Sequence, residues 1–537
     1  MTQDNNSSRQ LDLVNQFSNS LPMHKVLFAI LVLASISCLG KGDRPNFVII
    51  MADDMGLSDL GCYGGEIATP HLDQLAQNGL RFTHLYNNNM CTVTRAALLT
   101  GIYHTISFRK KGINPRCATL AETLVANGYT TRMSGKWHLA EIEDKNQWPC
   151  QRGFEEFYGT IYGACSFFAP ASLKRNNEDA SKDFEKPGYY YTDAISKNAA
   201  EMIALSPKNK PLLMYVAYTS PHWPLHALKE DIDKYQGRYA KGWDVLRNER
   251  YQRMLQLGII STDMQLSPRN PLVPRWEDAK SPEWQQRRME VYAAQIDRMD
   301  QGIGRIINSL KNSGRYDNTV IMFLIDNGGC HVEYTTTRTG PYLPEKTRGG
   351  KPVKAGNING LMPGPENTYQ SYGYGWANAS NTPFRLYKQF CHEGGIRTPL
   401  IVHWPAGLKT KPGSIIREVG HVFDIMPTCL ELAGVKALPQ LNGEKTYSQN
   451  GRSLAPIFQG KQRKPHPVLY WDHSQGAAIR KNGWKLVRAG RRKANWELYK
   501  IDEDQVELKN LATKYPDKVE ILAAEWTAWR ARTRAMK

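Results

Sequence analysis

Asn46-Phe47-Val48-Ile49-Ile50-Met51-Ala52-Asp53-Asp54 is a continuous apolar run that ends in two carboxylates. A strand with water on one face alternates apolar and polar residues, so an unbroken run predicts a strand buried on both faces. Asp53 and Asp54 then emerge at its carboxyl edge. Outward from this strand the pattern repeats. Apolar runs at 129–133, 212–218, 320–325 and 399–404 predict further strands, and 70–79, 94–99, 120–127 and 291–310 predict helices. The last of these carries Ile296, Met299, Ile303, Ile306, Ile307 and Leu310 at helical spacing on one face. Strands alternating with amphipathic helices predict an α/β fold, a sheet with helices packed on both sides.

At 537 residues the chain exceeds one ordinary core, and the length prior allows two to four domains. Residues 1–42 read as an extension and leader, and a large domain is expected over 43–452. From 453 the composition changes to short strand-like pieces, 468–471, 478–480 and 485–487, followed by a helix over 517–532. A smaller α+β domain is therefore expected over 453–537. Two stretches interrupt the alternation: 229–283 is polar and mixed, and 331–383 is rich in Gly, Thr, Asn, Tyr and Pro. Loops of that length are expected to be functional lids or to lack structure of their own.

Apolar residues make up 41% of the chain and charged residues 22%, which places it among globular rather than disordered sequences. The formal charge of +18 implies attraction to polyanions: nucleic acid, anionic membrane, or sulfated or carboxylated polysaccharide. Arg109-Lys110-Lys111 and Arg491-Arg492-Lys493 come with no recognition motif or aromatic platform, so they read as solvated faces and nucleic acid is not an expected partner. His24-Lys25 precede an apolar stretch at 26–34 and small residues up to Cys38, the pattern of an export signal, with 1–22 an extension ahead of the start at Met23. The apolar stretch is shorter than the roughly 20 residues needed to span a bilayer. Ser35-Ile36-Ser37-Cys38 loosely resembles a lipoprotein cleavage site, which would leave a lipid anchor as the sole membrane attachment; soluble secretion is the alternative. The expected location is outside the cytoplasm: periplasmic, lipid-anchored to the outer membrane, or secreted. Nine cysteines in a chain of this size do not make a disulfide scaffold. With Cys38 and Cys91 set aside, Cys62, Cys117, Cys150, Cys165, Cys330, Cys391 and Cys429 remain, an odd number without zinc or redox spacing.

Asp53 and Asp54 follow one predicted strand, and Asp326 and Asn327 follow another in Ile325-Asp326-Asn327-Gly328-Gly329. One aspartate pair at a strand end commonly caps the next helix. Two such pairs at the edge where the loops of an open α/β sheet converge point to a metal, and hard oxygen ligands suit calcium or magnesium.

Cys91-Thr92-Val93-Thr94-Arg95, followed by Thr100-Gly101, resembles the signature of the type I formylglycine-dependent sulfatases, Cys-x-Pro/Ala-x-Arg followed by Thr-Gly. Gly135-Lys136-Trp137-His138, Pro221-His222-Trp223-Pro224, Ile325-Asp326-Asn327-Gly328, and Lys388 with Glu393-Gly394-Gly395-Ile396-Arg397-Thr398-Pro399 look like the blocks of that family, in its order. Singly, these lysines and histidines read as surface charges or structural residues; together they do not. The resemblance implies an arylsulfatase-like member of the alkaline-phosphatase-like superfamily. Its fold would be a three-layer sandwich around a large, mostly parallel or mixed sheet, with the smaller C-terminal domain.

By the same resemblance, a formylglycine-generating enzyme oxidises Cys91, and one calcium ion, in preference to magnesium, is held by Asp53, Asp54, Asp326, Asn327 and the residue at 91. The reaction is hydrolysis of a sulfate ester, aryl or on a carbohydrate, to an alcohol and inorganic sulfate. It requires a nucleophile at sulfur, neutralisation of the nonbridging oxygens and a proton for the leaving alcohol. Lys136 and Lys388 are implied to clamp the sulfate and His222 to contact it and protonate the leaving group. His138 is implied to deprotonate the remaining hydroxyl. Arg95, four residues beyond Cys91 and on the same helix face, would hold a hydrate oxygen or a metal carboxylate. Val93 departs from the pattern, standing where the modifying enzyme meets Pro or Ala. Tyr334, Tyr342, Tyr369, Tyr372, Tyr374 and Trp376 would overhang the site and select substrates by stacking. Two alternatives are a phosphonate or phosphate ester hydrolase of the same superfamily, and an inactive protein that binds sulfated polysaccharide.

Overall fold

The computed structural model describes residues 44–109, 112–473, 476–490 and 494–536. The expected export signal with Cys38, Lys110-Lys111 and Arg491-Arg492-Lys493 lie outside the described residues. From Pro45 onward the chain forms one compact unit. Among the described residues, eleven strands build the central sheet: β1 Asn46–Ala52, β2 Leu80–Tyr86, β3 Thr130–Gly135, β4 Glu156–Thr160, β5 Leu173–Arg175, β6 Glu178–Asp179, β7 Leu212–Ala217, β8 Thr319–Ile325, β9 Arg397–His403, β10 Ser414–Ile416 and β11 Gly420–His421. Their order is β10-β2-β9-β8-β1-β7-β3-β4-β5-β6, with β11 also pairing to β2. The middle, from β8 through β4, is parallel, whereas β9 runs antiparallel to both β8 and β2.

β1 lies at the centre because both of its faces are apolar, and its alternation sorts residues between two cores. Val48, Ile50 and Ala52 pack on one side with α-helices α1 Pro70–Gln77, α2 Tyr191–Leu205 and α3 Pro282–Asn312. Phe47, Ile49 and Met51 pack on the other with residues of the helices Cys91–Thr100, Leu120–Ala126 and Ile425–Ala433. The result is the expected three-layer α/β sandwich. Strands β2 and β4 and the helices Tyr191–Leu205 and Ile425–Ala433 were not among the expected elements; β2, with Arg81, Thr83 and His84 among its apolar residues, lacks the continuous apolar signal of β1.

The two interrupting stretches do not lack structure of their own. Residues 229–283 contain the helices Lys229–Asp233 and Gly242–Gln256 and the start of α3. Their polar pattern misleads because they bury charge: the Arg250 guanidinium lies fully buried, 2.5 Å from Asp59 and 2.8 Å from Glu66. Residues 331–383 fold into short strands Lys354–Ala355 and Thr368–Tyr369 and a helix, Gly373–Ser380. The long helix α3 begins nine residues before the expected 291, at Pro282, because Trp284 and Arg288 pack beneath this segment: Trp284 Nε1 donates to the Leu361 carbonyl and Arg288 Nε to that of Ser371.

At the C-terminus, Leu469–His473, Gly476–Lys481, Trp484–Ala489 and Glu497–Lys500 form an antiparallel meander beside the helix Pro516–Ala535. This sheet shares the second core through Trp471, Ile479 and Leu486, and the helix does so through Trp526. Lys485 links the sheet to the main body: its buried ammonium sits 2.6 Å from Glu393 there and 2.9 Å from Glu507, which follows the meander. Among the described residues every cysteine is free.

Candidate active site

Parallel pairing of β1 with β8 places Ala52 opposite Ile325, so the two carboxylate-bearing turns leave the sheet side by side. Asp53 donates its N–H to the Ser220 carbonyl and Asp326 donates its own to that of Ala52. Asp54 sits in the left-handed region at φ 63°, a costly conformation for a non-glycine residue, and its N–H meets Asp326 Oδ1 at 3.2 Å. Asp53, Asp54, Asp326 and Asn327 are all essentially inaccessible to solvent.

Three oxygens in this cluster, Asp53 Oδ1, Asp54 Oδ2 and Asn327 Oδ1, are buried without a hydrogen-bond donor among the described residues. Leaving buried acceptors unmatched is unfavourable, and three of them in one acidic cluster fit a cation. Burial and the neighbouring Asp53 charge raise the Asp326 carboxyl to about 7, with Arg95 and Lys136 opposing. For Asp53 the balance reverses: burial acts upward, but Lys136, His222 and Arg95 hold it far below the usual range. Burial also pushes Asp54 upward, and Lys388 and His222 outweigh it. Ligand atoms of Asp53, Cys91 and Asp326 lie within 4.8 Å of one another, so Cys91 belongs to the same acidic focus. The residues present fit a hard divalent ion: they offer oxygens, and crowded carboxylates gain most from a positive charge.

Cys91 opens the helix Cys91–Thr100, earlier than the expected 94, and Gly101 closes it in the left-handed conformation. Its Sγ lies 3.3 Å from His138 Nδ1. Burial raises the thiol's pKa, with Lys136 and Lys388 partly offsetting it. His138 follows β3 at φ 59°. Burial, then the charges of Lys136 and Arg95, keep its ring far below the ordinary histidine range, hence neutral. Glycine at 163 makes room for this ring, since a Cβ there would stand 2.1 Å from it.

One turn along the helix, Arg95 donates from Nη2 to Asp326 Oδ2 at 3.0 Å and from Nη1 to the Lys136 carbonyl at 2.9 Å. Of the two expected uses for its fork, the structure brings it to a carboxylate. The Lys136 ammonium pairs with Asp53, and Lys388 Nζ lies 2.6 Å from Asp54 Oδ1. His222 is held by the Trp223 carbonyl, 2.6 Å from Nδ1, which assigns the proton to Nδ1 and turns Nε2 toward Asp54 Oδ2 at 3.3 Å. Burial lowers this ring to about 4, with Asp54 and Asp53 opposing. All ten residues singled out in the sequence thus converge: Asp53, Asp54, Cys91, Arg95, Lys136, His138, His222, Asp326, Asn327 and Lys388.

The expected aromatic overhang is corrected. Tyr334, Tyr369, Tyr372 and Trp376 are buried: Tyr372 stacks on Tyr292 at 4.3 Å and Trp376 packs edge-on against Trp243. Tyr342 and Tyr374 alone of the six remain partly exposed. Two residues near the site escaped the sequence reading. Asn381 Oδ1 accepts the Gly329 N–H and holds the turn after Asn327. The Arg338 guanidinium lies 4.6 Å over Trp223, whose ring stands 4.3 Å from that of His222. The spacing Tyr334, Arg338, Tyr342, a cation four residues from each of two aromatics, was the signal available for it.

A central α/β sheet bearing buried carboxylates at two parallel strand ends, two buried ammonium groups and two histidines defines an alkaline-phosphatase-like hydrolase. The chain matches the family described as Sulfatase over residues 45–435, and N-sulphoglucosamine sulphohydrolase, C-terminal, over residues 384–527. It belongs to the sulfatase family, the sulfuric ester hydrolases. It is 34% identical to an uncharacterized sulfatase of Schizosaccharomyces pombe, over 92% of this chain and 94% of that one. It is 32% identical to an arylsulfatase of Klebsiella aerogenes, over 82% of this chain and 97% of that one. The crystal structure of Ps i-CgsB superposes with a TM-score of 0.64 at 24% identity, covering 91% of this chain and 93% of that one.

Proposed function

We propose that the protein hydrolyses sulfate esters, aryl or carbohydrate, with a formylglycine made from Cys91 and one calcium ion held by Asp53, Asp54, Asp326, Asn327 and the residue at 91. The observation that carries this reading is the placement of Cys91 Sγ, 3.3 Å from His138 Nδ1 and within 4.8 Å of carboxylate oxygens of Asp53 and Asp326. When present, the ion would supply Lewis acidity and the formylglycine hydrate a hydroxyl for attack at sulfur.

The chain's own residues would do the rest. Lys136 and Lys388, each already carrying a carboxylate partner, would turn their remaining N–H donors to the nonbridging sulfate oxygens. His222 would donate from Nε2 to the leaving oxygen; the incoming sulfate charge beside it favours the protonated ring that burial alone disfavours. His138, neutral and beside position 91, would accept the hydroxyl proton at Nδ1 when sulfate is released. Arg95 is a positioning residue that fixes Asp326 and the Lys136 backbone. The leaving alcohol would lie along Trp223, beside His222, with the Arg338 guanidinium 4.6 Å over its ring and Tyr342 tilted against it at 5.6 Å.

Aryl sulfates and sulfated saccharides are the substrate classes to screen, and export through the leader at 24–38 is part of the proposal because the maturation enzyme acts on exported chains. The test is the mass of the tryptic peptide from Phe82 to Arg95, from protein co-produced with a formylglycine-generating enzyme. An aldehyde or its hydrate in place of the thiol supports the reading and shows Val93 to be tolerated. Cysteine alone, in that host and in the native source, overturns it. Turnover of phosphate esters above sulfate esters would instead favour the phosphatase reading.

A further inference from the structure

The charge of +18 is not consumed by the site around position 91, where lysines, arginine and carboxylates balance locally. We propose that the protein carries a second, non-catalytic site that binds sulfated oligosaccharide, in a groove beyond the far end of the helix Cys91–Thr100. The groove has a volume of about 630 Å³, and it runs between the segment 445–452, the turn at Tyr103 and the last turn of the helix Pro516–Ala535. That volume falls among small-ligand sites, about 300–1,000 Å³.

Its lining is one-sided in charge. Arg116, Lys445, Arg452 and Arg532 line it, and among the described residues no Asp or Glu does. None of these four cations has a carboxylate partner among the described ion pairs, so their mutual repulsion is relieved by an anion from outside. Two carboxylates that touch lining residues are already committed. Asp424 is buried against Arg463 at 3.1 Å and His466 at 2.9 Å, and Glu525 takes Lys481 at 2.7 Å and the Tyr470 hydroxyl at 3.0 Å.

The cations are also held in place. Arg116 donates from Nε to the Lys445 carbonyl at 3.0 Å and from Nη1 to the Tyr447 hydroxyl at 3.2 Å, and it stacks 4.3 Å over the Tyr447 ring. Arg452 is anchored by the Pro465 carbonyl at 2.8 Å. A guanidinium fixed in this way loses little freedom on meeting a sulfate or carboxylate. Gln449, in the same lining, has its Nε2 buried without an acceptor.

A saccharide fits better than a nucleic acid. Single-stranded nucleic acid needs exposed rings on which bases stack, but Tyr103, Tyr470 and Trp529 in this groove are 7%, 7% and 3% exposed, and the half-buried Tyr447 ring already has the Arg116 guanidinium over one face. Fixed guanidinium groups match the sulfate groups of such a saccharide instead. The ten-residue helix Cys91–Thr100, about 15 Å long at 1.5 Å per residue, lies between position 91 and the turn at Tyr103. A sulfate held here is therefore separate from the ester at position 91, and a polymer long enough to reach both would be held at two points.

The test is titration of the full chain with a fluorescent dextran sulfate oligosaccharide, for wild type and for R116A/R452A/R532A. The expected result is a Kd raised roughly tenfold or more in the variant, from three lost charge contacts, with sulfate release from a small aryl ester unchanged. Wild-type affinity in a folded variant would overturn the proposal, as would equal binding of neutral dextran. Duplex DNA bound as tightly as dextran sulfate, and lost in the same variant, would overturn the saccharide in favour of unselective polyanion binding. Should the triple variant fail to fold, Lys445→Glu carries the test at an exposed side chain, where an unchanged Kd counts against the groove. Lack of aryl-ester turnover in the wild type would count against the proposed chemistry alone, because binding in the groove is read independently.

Discussion

Arg95 decides whether the acidic cluster holds together. Its guanidinium is fully buried and joins Asp326 to the Lys136 carbonyl. Removing one partner of a buried pair leaves an uncompensated charge, at a cost of about 3–5 kcal/mol. Arg95→Met is expected to lower the thermal midpoint and to lose calcium binding measured by calorimetry; a variant with wild-type midpoint and affinity would refute the positioning role. His222 makes a sharper chemical prediction. A general acid contributes about 10²–10⁴-fold where the leaving group needs a proton. His222→Ala is thus expected to cost that much in kcat on an alkyl or sugar sulfate and much less on 4-nitrophenyl sulfate, whose leaving group is stable as an anion. Equal losses on both would remove His222 from that role. At this scale the sequence was informative because motif order named all ten residues. Arg338 and Asn381 were not named, since each acts through a neighbour distant in sequence, Trp223 or Gly329.

Among the elements, the turn after β4 matters for what it lacks. A Cβ at Gly163 would fall 2.1 Å from the His138 ring, and overpacking of this kind forces a side chain out of position. Gly163→Ala is expected to lower kcat roughly tenfold or more, because misplacing a catalytic group by ~1 Å is enough for such a loss, with the protein still folded by circular dichroism. Unchanged kcat would mean that His138 is not the acceptor. The C-terminal sheet is tied to the sulfatase core by a different device, the buried Lys485 between Glu393 and Glu507. Lys485→Met strands two buried carboxylates and is expected to cost about 3–5 kcal/mol, measured by urea unfolding; a neutral result would show that the shared apolar core alone holds the sheet. Strands such as β1 and β8 were legible because both faces are apolar. The helices in 229–283 were not, because their buried faces carry paired charge in place of leucine.

For the whole molecule, buried carboxylates set the response to acid. Burial would raise Glu66, Glu393 and Asp424, but Arg250, Lys485 and His466 respectively outweigh it and hold each below its usual value. Glu497 is likewise held at about 2, with the His392 hydrogen bond leading against burial. A carboxyl depressed in the fold contributes stability above its unfolded pKa, about 4, and that contribution is lost as pH falls through the folded value. Asp300 has the opposite sign: burial raises it to about 7, so its contribution is present below about 4 and lost as pH rises to 7. The urea midpoint is expected to drop steeply below about pH 4, and Asp300→Asn is expected to flatten its decline between there and pH 7. A midpoint indifferent to acid would contradict the ion-pair assignment. The sequence by itself determined the α/β class and the family, and it picked out ten residues that the fold brings together, because strand burial and motif order are local properties of the chain. Only the tertiary structure decided that four of the six aromatics in 331–383 lie in the core, that Arg95 serves a carboxylate, and that four cations from three segments share one groove. Those facts depend on contacts between residues tens to hundreds of positions apart, which no local pattern specifies.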